Sequence, residues 1–218
     1  MPDSSKTGAL ATAAELVSGG DAVAAAGAVR QALREAYWVH HDLAAVTVVG
    51  LSGIGACLST AETVDGKTGY LLRSEAKAML YDLASFTWPG WGEPQIEIVE
   101  RDTQLGLEAA ALNLRLAEQL DKGDLPTSRA RWMYGAQLMA ADLYAEAEEQ
   151  FTESADLAQR AGADGEAILS RAFRVLCSIL AGNAAAEPAY AQVLEELRAE
   201  EEGEALVEQV VVARSVFG

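Results

Sequence analysis

Proline is scarce in this chain, five in 218 residues, and aromatic residues make up only 6%. A β-sandwich or barrel needs many β-branched and aromatic positions, and no segment here sustains period-two alternation, so the composition argues against an all-β fold. Cysteine is scarcer still. Cys57 and Cys177 supply neither a zinc set nor a disulfide framework, and each lies inside an apolar helical pattern. They read as buried free thiols in a reducing compartment, which points to the cytoplasm. The polar stretch Met1–Gly8 lacks a basic region followed by an apolar core, so no secretory signal is expected.

Histidine is limited to His40 and His41. Neighbours on a helix point about a third of a turn apart, so this pair cannot jointly hold a metal without distant partners. No serine or cysteine has a histidine at a spacing readable as nucleophilic catalysis. Glu195-Glu196 and Glu200-Glu201-Glu202 read as a solvated helix end. No metal, cofactor or reaction centre is expected, and binding is favoured over catalysis.

Bases are few: 16 Lys and Arg stand against 33 Asp and Glu, for a net charge of −17. The imbalance is uneven, with a net of −3 over residues 1–92 and −14 over 93–218. Such a surface repels phosphate backbones and anionic headgroups, which excludes nucleic acid and membrane as natural partners. Solubility explains the excess acid, and a basic protein or peptide partner is the reading with functional content. Only one stretch lacks charge for long, Leu43–Ala61, near the length a bilayer requires. Its three glycines, Thr47, Ser52, Ser59 and Thr60, and the absence of flanking anchors, favour a central helix buried on all sides.

What the chain has is apolar content, 50% of residues and much of it alanine, the strongest helix former. Helical periodicity and caps give a short helix over Leu10–Val17, then helices over Ala22–His40, Leu43–Thr60, Tyr70–Phe86 and Gln95–Leu120. Further helices follow from Pro126 to Leu143, Tyr144 to Arg160, Glu166 to Leu180, Pro188 to Glu202, and after Gly203 to Val216. Asp21 and Asp42 are the expected N-caps. The segment Trp88-Pro89-Gly90-Trp91-Gly92-Glu93-Pro94 is the clearest break. About ten helices with short connectors make a stack of antiparallel hairpins. The organisation expected is 1–92 as N-terminal hairpins and 93–218 as a second set closed by a capping helix.

Within Ser128–Ala161, the residues Trp132, Gly135, Leu138, Tyr144, Ala147, Phe151, Ser154, Ala155 and Leu157 resemble the signature of one tetratricopeptide repeat. Gly135 and Ala147 are small where two helices of a hairpin approach closely. Tyr144 and Phe151 fill the wedge beside them, and Ser154 and Ala155 admit the next hairpin. The resemblance covers one repeat and implies an all-α solenoid wound as a right-handed superhelix, because one repeat cannot bury its own faces. It also implies that Arg129, Trp132 and Met139 on the first helix line a groove for a bound peptide. The alternative at Trp132 and Met139 is the core, the commoner place for such residues at helical spacing.

Trp88 and Trp91 admit two readings as well, an exposed aromatic platform for a partner or a plug folded inward. Val46–Gly55, VTVVGLSGIG, resembles the glycine turn of a dinucleotide-binding unit, with Ser52 where a glycine normally stands. The competing reading is a helix whose Gly50, Gly53 and Cys57 let neighbours pack closely. The sequence therefore points to a non-catalytic scaffold or adaptor that binds a protein or peptide segment. Its alternatives are a nucleotide-binding enzyme built on Gly50–Gly55, and a homodimer joined through Val207–Phe217 or the Trp88–Trp91 loop.

Overall fold

The computed structural model describes residues 21–218. The helix expected over Leu10–Val17 lies outside them. Among the described residues the fold is all-α, with nine α-helices and no strand. They are α1 (Ala22–Trp38), α2 (Leu43–Ala61), α3 (Gly66–Phe86), α4 (Glu100–Gln119), α5 (Asp124–Ala140), α6 (Tyr144–Arg160), α7 (Asp164–Leu180), α8 (Glu187–Arg198) and α9 (Gly203–Phe217). Short 3-10 turns lie at Pro89–Trp91 and Ala184–Ala186. The described residues form two compact units, 21–87 with Gln95–Glu97, and Trp88–Pro94 with Ile98–Gly218. The division falls at Trp88 because that side chain is buried in the second unit.

In the first unit, aspartate caps set the helix starts. Asp21 accepts from the Ala24 N–H, Asp42 from Ala45, and Asp65 from Lys67 and Thr68. The Asp65 cap starts α3 at Gly66, earlier than the Tyr70 expected, since a capped first turn tolerates glycine. Val29 and Leu33 of α1, Val46, Ile54 and Cys57 of α2, and Leu72, Met79 and Leu83 of α3 form the core. Tyr37 stacks flat on Phe86 at 4.0 Å. Asp82 of α3, 4% exposed, receives Arg30 Nε at 2.8 Å and Arg34 Nε at 3.2 Å, which clamps α3 to α1.

The expectation that Leu43–Ala61 is buried on all sides does not hold. Only 39% of its most apolar stretch is buried. Gly50 and Gly53 face inward, while Ala44, Val48, Leu51, Gly55 and Ser59 face solvent.

The helix enclosed on nearly every side is α5, in the second unit. Ser128, Ala130, Trp132, Met133, Gly135, Ala136, Gln137, Leu138 and Met139 are all buried, and α4, α6, α7 and the Pro89–Trp91 turn pack around it. Gly135 makes the α5–α6 crossing close: a Cβ there would stand 3.1 Å from the Phe151 ring. Ser128, Ser154 and Ser170 tie α5, α6 and α7 together. Ser128 Oγ donates to the Ser154 carbonyl at 2.8 Å, and Ser154 Oγ lies 2.9 Å from Ser170 Oγ. On α4, which begins at Glu100 rather than Gln95, Asp102 accepts from the Val99 N–H at 3.1 Å. Its buried side is Gly106, Ala109, Ala110, Leu114, Leu116 and Ala117, while Leu105 and Leu112 are half-buried.

Candidate functional site

The five residues expected to contact a partner divide into two groups. Trp88, Trp91 and Trp132 come together in one aromatic cluster. Trp88 and Trp132 rings are 5.7 Å apart, Trp88 and Trp91 meet edge-on at 4.8 Å, and Trp91 lies 6.1 Å from Trp132. Phe151, Phe173 and Phe217 complete the cluster. Met139 is fully buried further along α5, and Arg129 stands apart on the surface, held by Glu166 of α7 at 2.6 Å.

Burial goes against a groove role for Trp132 and Met139 and an exposed platform at Trp88, and agrees with the alternatives of core and inward plug. Trp88 and Met139 are 0% exposed and Trp132 is 7% exposed. The space beside α5 and α7 is filled by the chain's own Pro89–Trp91 turn and by α9. Trp88 is fixed there by its indole N–H, which donates to the Ala136 carbonyl at 2.9 Å. Gly90 is required beneath it, since a Cβ at that position would overlap the Trp88 ring. Full burial of one such aromatic is worth roughly 1.5–3 kcal/mol. Trp91 is half-buried over Trp132, whose own Nε1 is buried without an acceptor.

Val46–Gly55 lies wholly inside α2 and makes no glycine turn. A Cβ on Gly53 would come within 2.5 Å of Val29 Cγ1 and 2.8 Å of Met79 Sδ. That glycine serves helix packing, as a cradle for phosphate would not require. Burial pushes the Cys57 thiol up to about 12, with Glu75 adding to the rise, and burial likewise raises Cys177. Neither is a thiolate near neutral pH. No group of three or more His, Cys, Asp or Glu among the described residues is arranged to hold a metal ion.

The acidic side chains gather on the outward side of α6. Glu146, Glu149, Glu153 and Asp156 recur there at helical spacing. A shallow depression of about 600 Å³ opens beside them, lined by Ala145, Glu148, Glu149, Thr152, Glu153, Arg174 and Ala181. Glu153 pairs with Arg131 at 2.6 Å. Glu148 and Glu149 have no cation within ion-pair distance among the described residues. The sequence showed the acid but not this cavity, because its wall combines side chains from α6 and α7.

No family model, curated protein or solved structure matches this chain. Its functional reading therefore rests on its own geometry.

Proposed function

We propose that the chain is a non-catalytic protein-binding scaffold, a tetratricopeptide-like solenoid of helix hairpins, that takes a basic segment of a partner against the outer face of α6. The observation that carries this reading is the depression beside Glu148, Glu149 and Glu153. Among the described residues, two of its three carboxylates, Glu148 and Glu149, form no ion pair, and they outnumber the one cation in its wall, Arg174, in a stretch of chain with a net charge of −14. A lysine or arginine entering there would gain charge-assisted hydrogen bonds from more than one carboxylate. The tetratricopeptide resemblance is supported by Gly135 under Phe151 and by the buried Ala147, Ser154 and Ala155. The inward aromatic cluster moves the proposed contact from the groove to the outside. Two buried free thiols fit a reducing compartment such as the cytoplasm.

The test is binding of a fluorescent Lys/Arg-rich peptide, measured by anisotropy at low and high salt. Glu148→Lys with Glu149→Lys should weaken binding much more than Glu201→Lys with Glu208→Lys, which changes net charge equally elsewhere. Equal loss in the two variants would reduce the effect to bulk charge and reject the site.

A further inference from the structure

Acids outnumber bases in this chain by 33 to 16, and at one place in the first unit that ratio reverses. Elsewhere among the described residues each ion-paired arginine has a carboxylate of its own. Arg73 has Glu62, Arg160 has Asp124 and Arg214 has Glu187, while Arg131 has both Glu118 and Glu153. Asp82 alone is shared, by Arg30 and Arg34 of α1. The carboxylate lies below the surface at 4% exposure, and the two arginine side chains reach it at 30% and 48%.

A clamp between α1 and α3 needs only one of these cations. Arg34 approaches side-on, Nε to Oδ2 at 3.2 Å and Nη2 to Oδ1 at 3.3 Å, and so covers both oxygens of Asp82. Arg30 donates its Nε at 2.8 Å to the same Oδ2. Both Nη groups of Arg30 and Nη1 of Arg34 have no acceptor among the described residues. Two cations held on one oxygen repel each other, and a single carboxylate offsets only one of them. Glu35, next to Arg34 in the chain, does not supply the balance. It forms no ion pair among the described residues and accepts from Gln31 Nε2 at 3.0 Å. Gly27, one turn before Arg30 on the same side of α1, is exposed, and a Cβ there would meet nothing within 4 Å, so the approach is open.

We propose that Arg30 and Arg34, seated on Asp82, bind a single phosphate group, as the free ion or as a monoester. The open donors belong to two separate guanidinium groups. A planar carboxylate fills one such fork, whereas a tetrahedral phosphate has terminal oxygens enough to accept from both. Asp82 acts as a positioning residue: it fixes both Nε atoms, so the remaining Nη groups are ordered before the ligand arrives. Charge sets the size of the ligand. A chain with a net charge of −17 repels a polyanion, while residues 1–92, at a net of −3, admit one small anion at a local cationic surplus. The site lies in the first unit and has the opposite sign to the depression on α6, so it stands whether or not the peptide site does.

Nuclear magnetic resonance of the arginine Nε–Hε groups of the full chain tests it, at constant ionic strength. Inorganic phosphate is titrated in one series, and a phosphoserine peptide with no other charge in a second. The Arg30 and Arg34 signals should shift together and saturate, while those of Arg160 and Arg214 stay in place. The titrant that saturates at the lower concentration identifies the source as free phosphate or phosphomonoester. Arg34→Gln leaves the Arg30–Asp82 pair, and Arg30→Gln leaves Arg34 side-on against Asp82. Each should weaken binding at least tenfold with unchanged helicity. Shifts that never saturate, or that appear equally at every arginine, would mean bulk ion association only and overturn the site. Undiminished binding in both variants overturns it as well. Acetate saturating at the same concentration as phosphate would assign the pair to carboxylates and overturn the choice of ligand.

Discussion

Gly50, Gly53 and Gly55 lie within two turns of α2 in three different surroundings, so alanine at each should change stability by a different amount and sign. Alanine is better than glycine inside a helix by about 1 kcal/mol. At Gly55 the new methyl meets nothing, so most of that gain, about 0.5–1 kcal/mol, should appear. At Gly50 it would rest 3.4 Å from Leu33 Cδ1 and 3.7 Å from the Leu83 methyls. Those are ends of flexible side chains, and a part of the gain should survive. At Gly53 it would stand 2.5 Å from Val29 Cγ1 and 2.8 Å from Met79 Sδ. Met79 can swing away, but Val29 is β-branched, fully buried and stiff at χ1, so α1 itself must shift. Overpacking of this kind costs about 1–3 kcal/mol, which cancels the helix gain and leaves a net loss of up to about 2 kcal/mol for Gly53→Ala. Urea unfolding followed by far-UV circular dichroism reads the difference. With a slope of roughly 1 kcal/mol per M for a unit this small, the midpoint should rise by about 0.5–1 M for Gly55→Ala and show no rise, or a fall of up to about 2 M, for Gly53→Ala. An equal gain at both positions would refute the seating of α2 on α1 and α3.

Asp82→Asn should destabilise the first unit by about 3 kcal/mol, the low end for breaking a buried pair because Arg30 and Arg34 can turn towards water; an unchanged chemical-denaturation midpoint would mean the clamp is idle. Trp88→Phe keeps the ring in the cluster but leaves the Ala136 carbonyl without its indole donor, for a loss of about 1–2 kcal/mol visible as a lowered melting temperature. Stability should also fall as pH rises from about 9 towards 12: the Cys57 thiol ionises near 9.0 in the unfolded chain and only near 12 when folded, so the folded form retains a proton that the unfolded form has lost. Cys57→Ala should remove part of that decline. Below about pH 9 this group adds no slope.

Much of the helical layout was legible in the sequence because it is local. Asp21 and Asp42 stand where side-chain oxygens meet free amides, and Gly162 and Gly182 take up positive φ at helix ends, whereas the Asp65 cap was hidden in what reads as a turn. The small residues Gly135, Ala147 and Ser154 likewise announce a close α5–α6 crossing. Less legible was which side of a helix faces what. Trp132 and Met139 share a stripe with Arg129, and spacing alone cannot say whether a groove or a neighbouring loop covers that stripe. The answer depends on Trp88, more than forty residues earlier in the chain, whose indole reaches Ala136. The depression on α6 was invisible for the same reason.

The pairing of α2 and α5 shows how hydropathy and burial come apart. α2 has no charge from end to end, yet it keeps one full face towards solvent, while α5 carries Asp124, Arg129 and Arg131 and is enclosed nearly all round. The charges on α5 lie on its N-terminal half, where they can still reach out: Arg129 goes to Glu166, Arg131 to Glu118 and Glu153, and Asp124 to Arg160. Long side chains allow a helix to be central and charged at once, with the stem buried and the head in water.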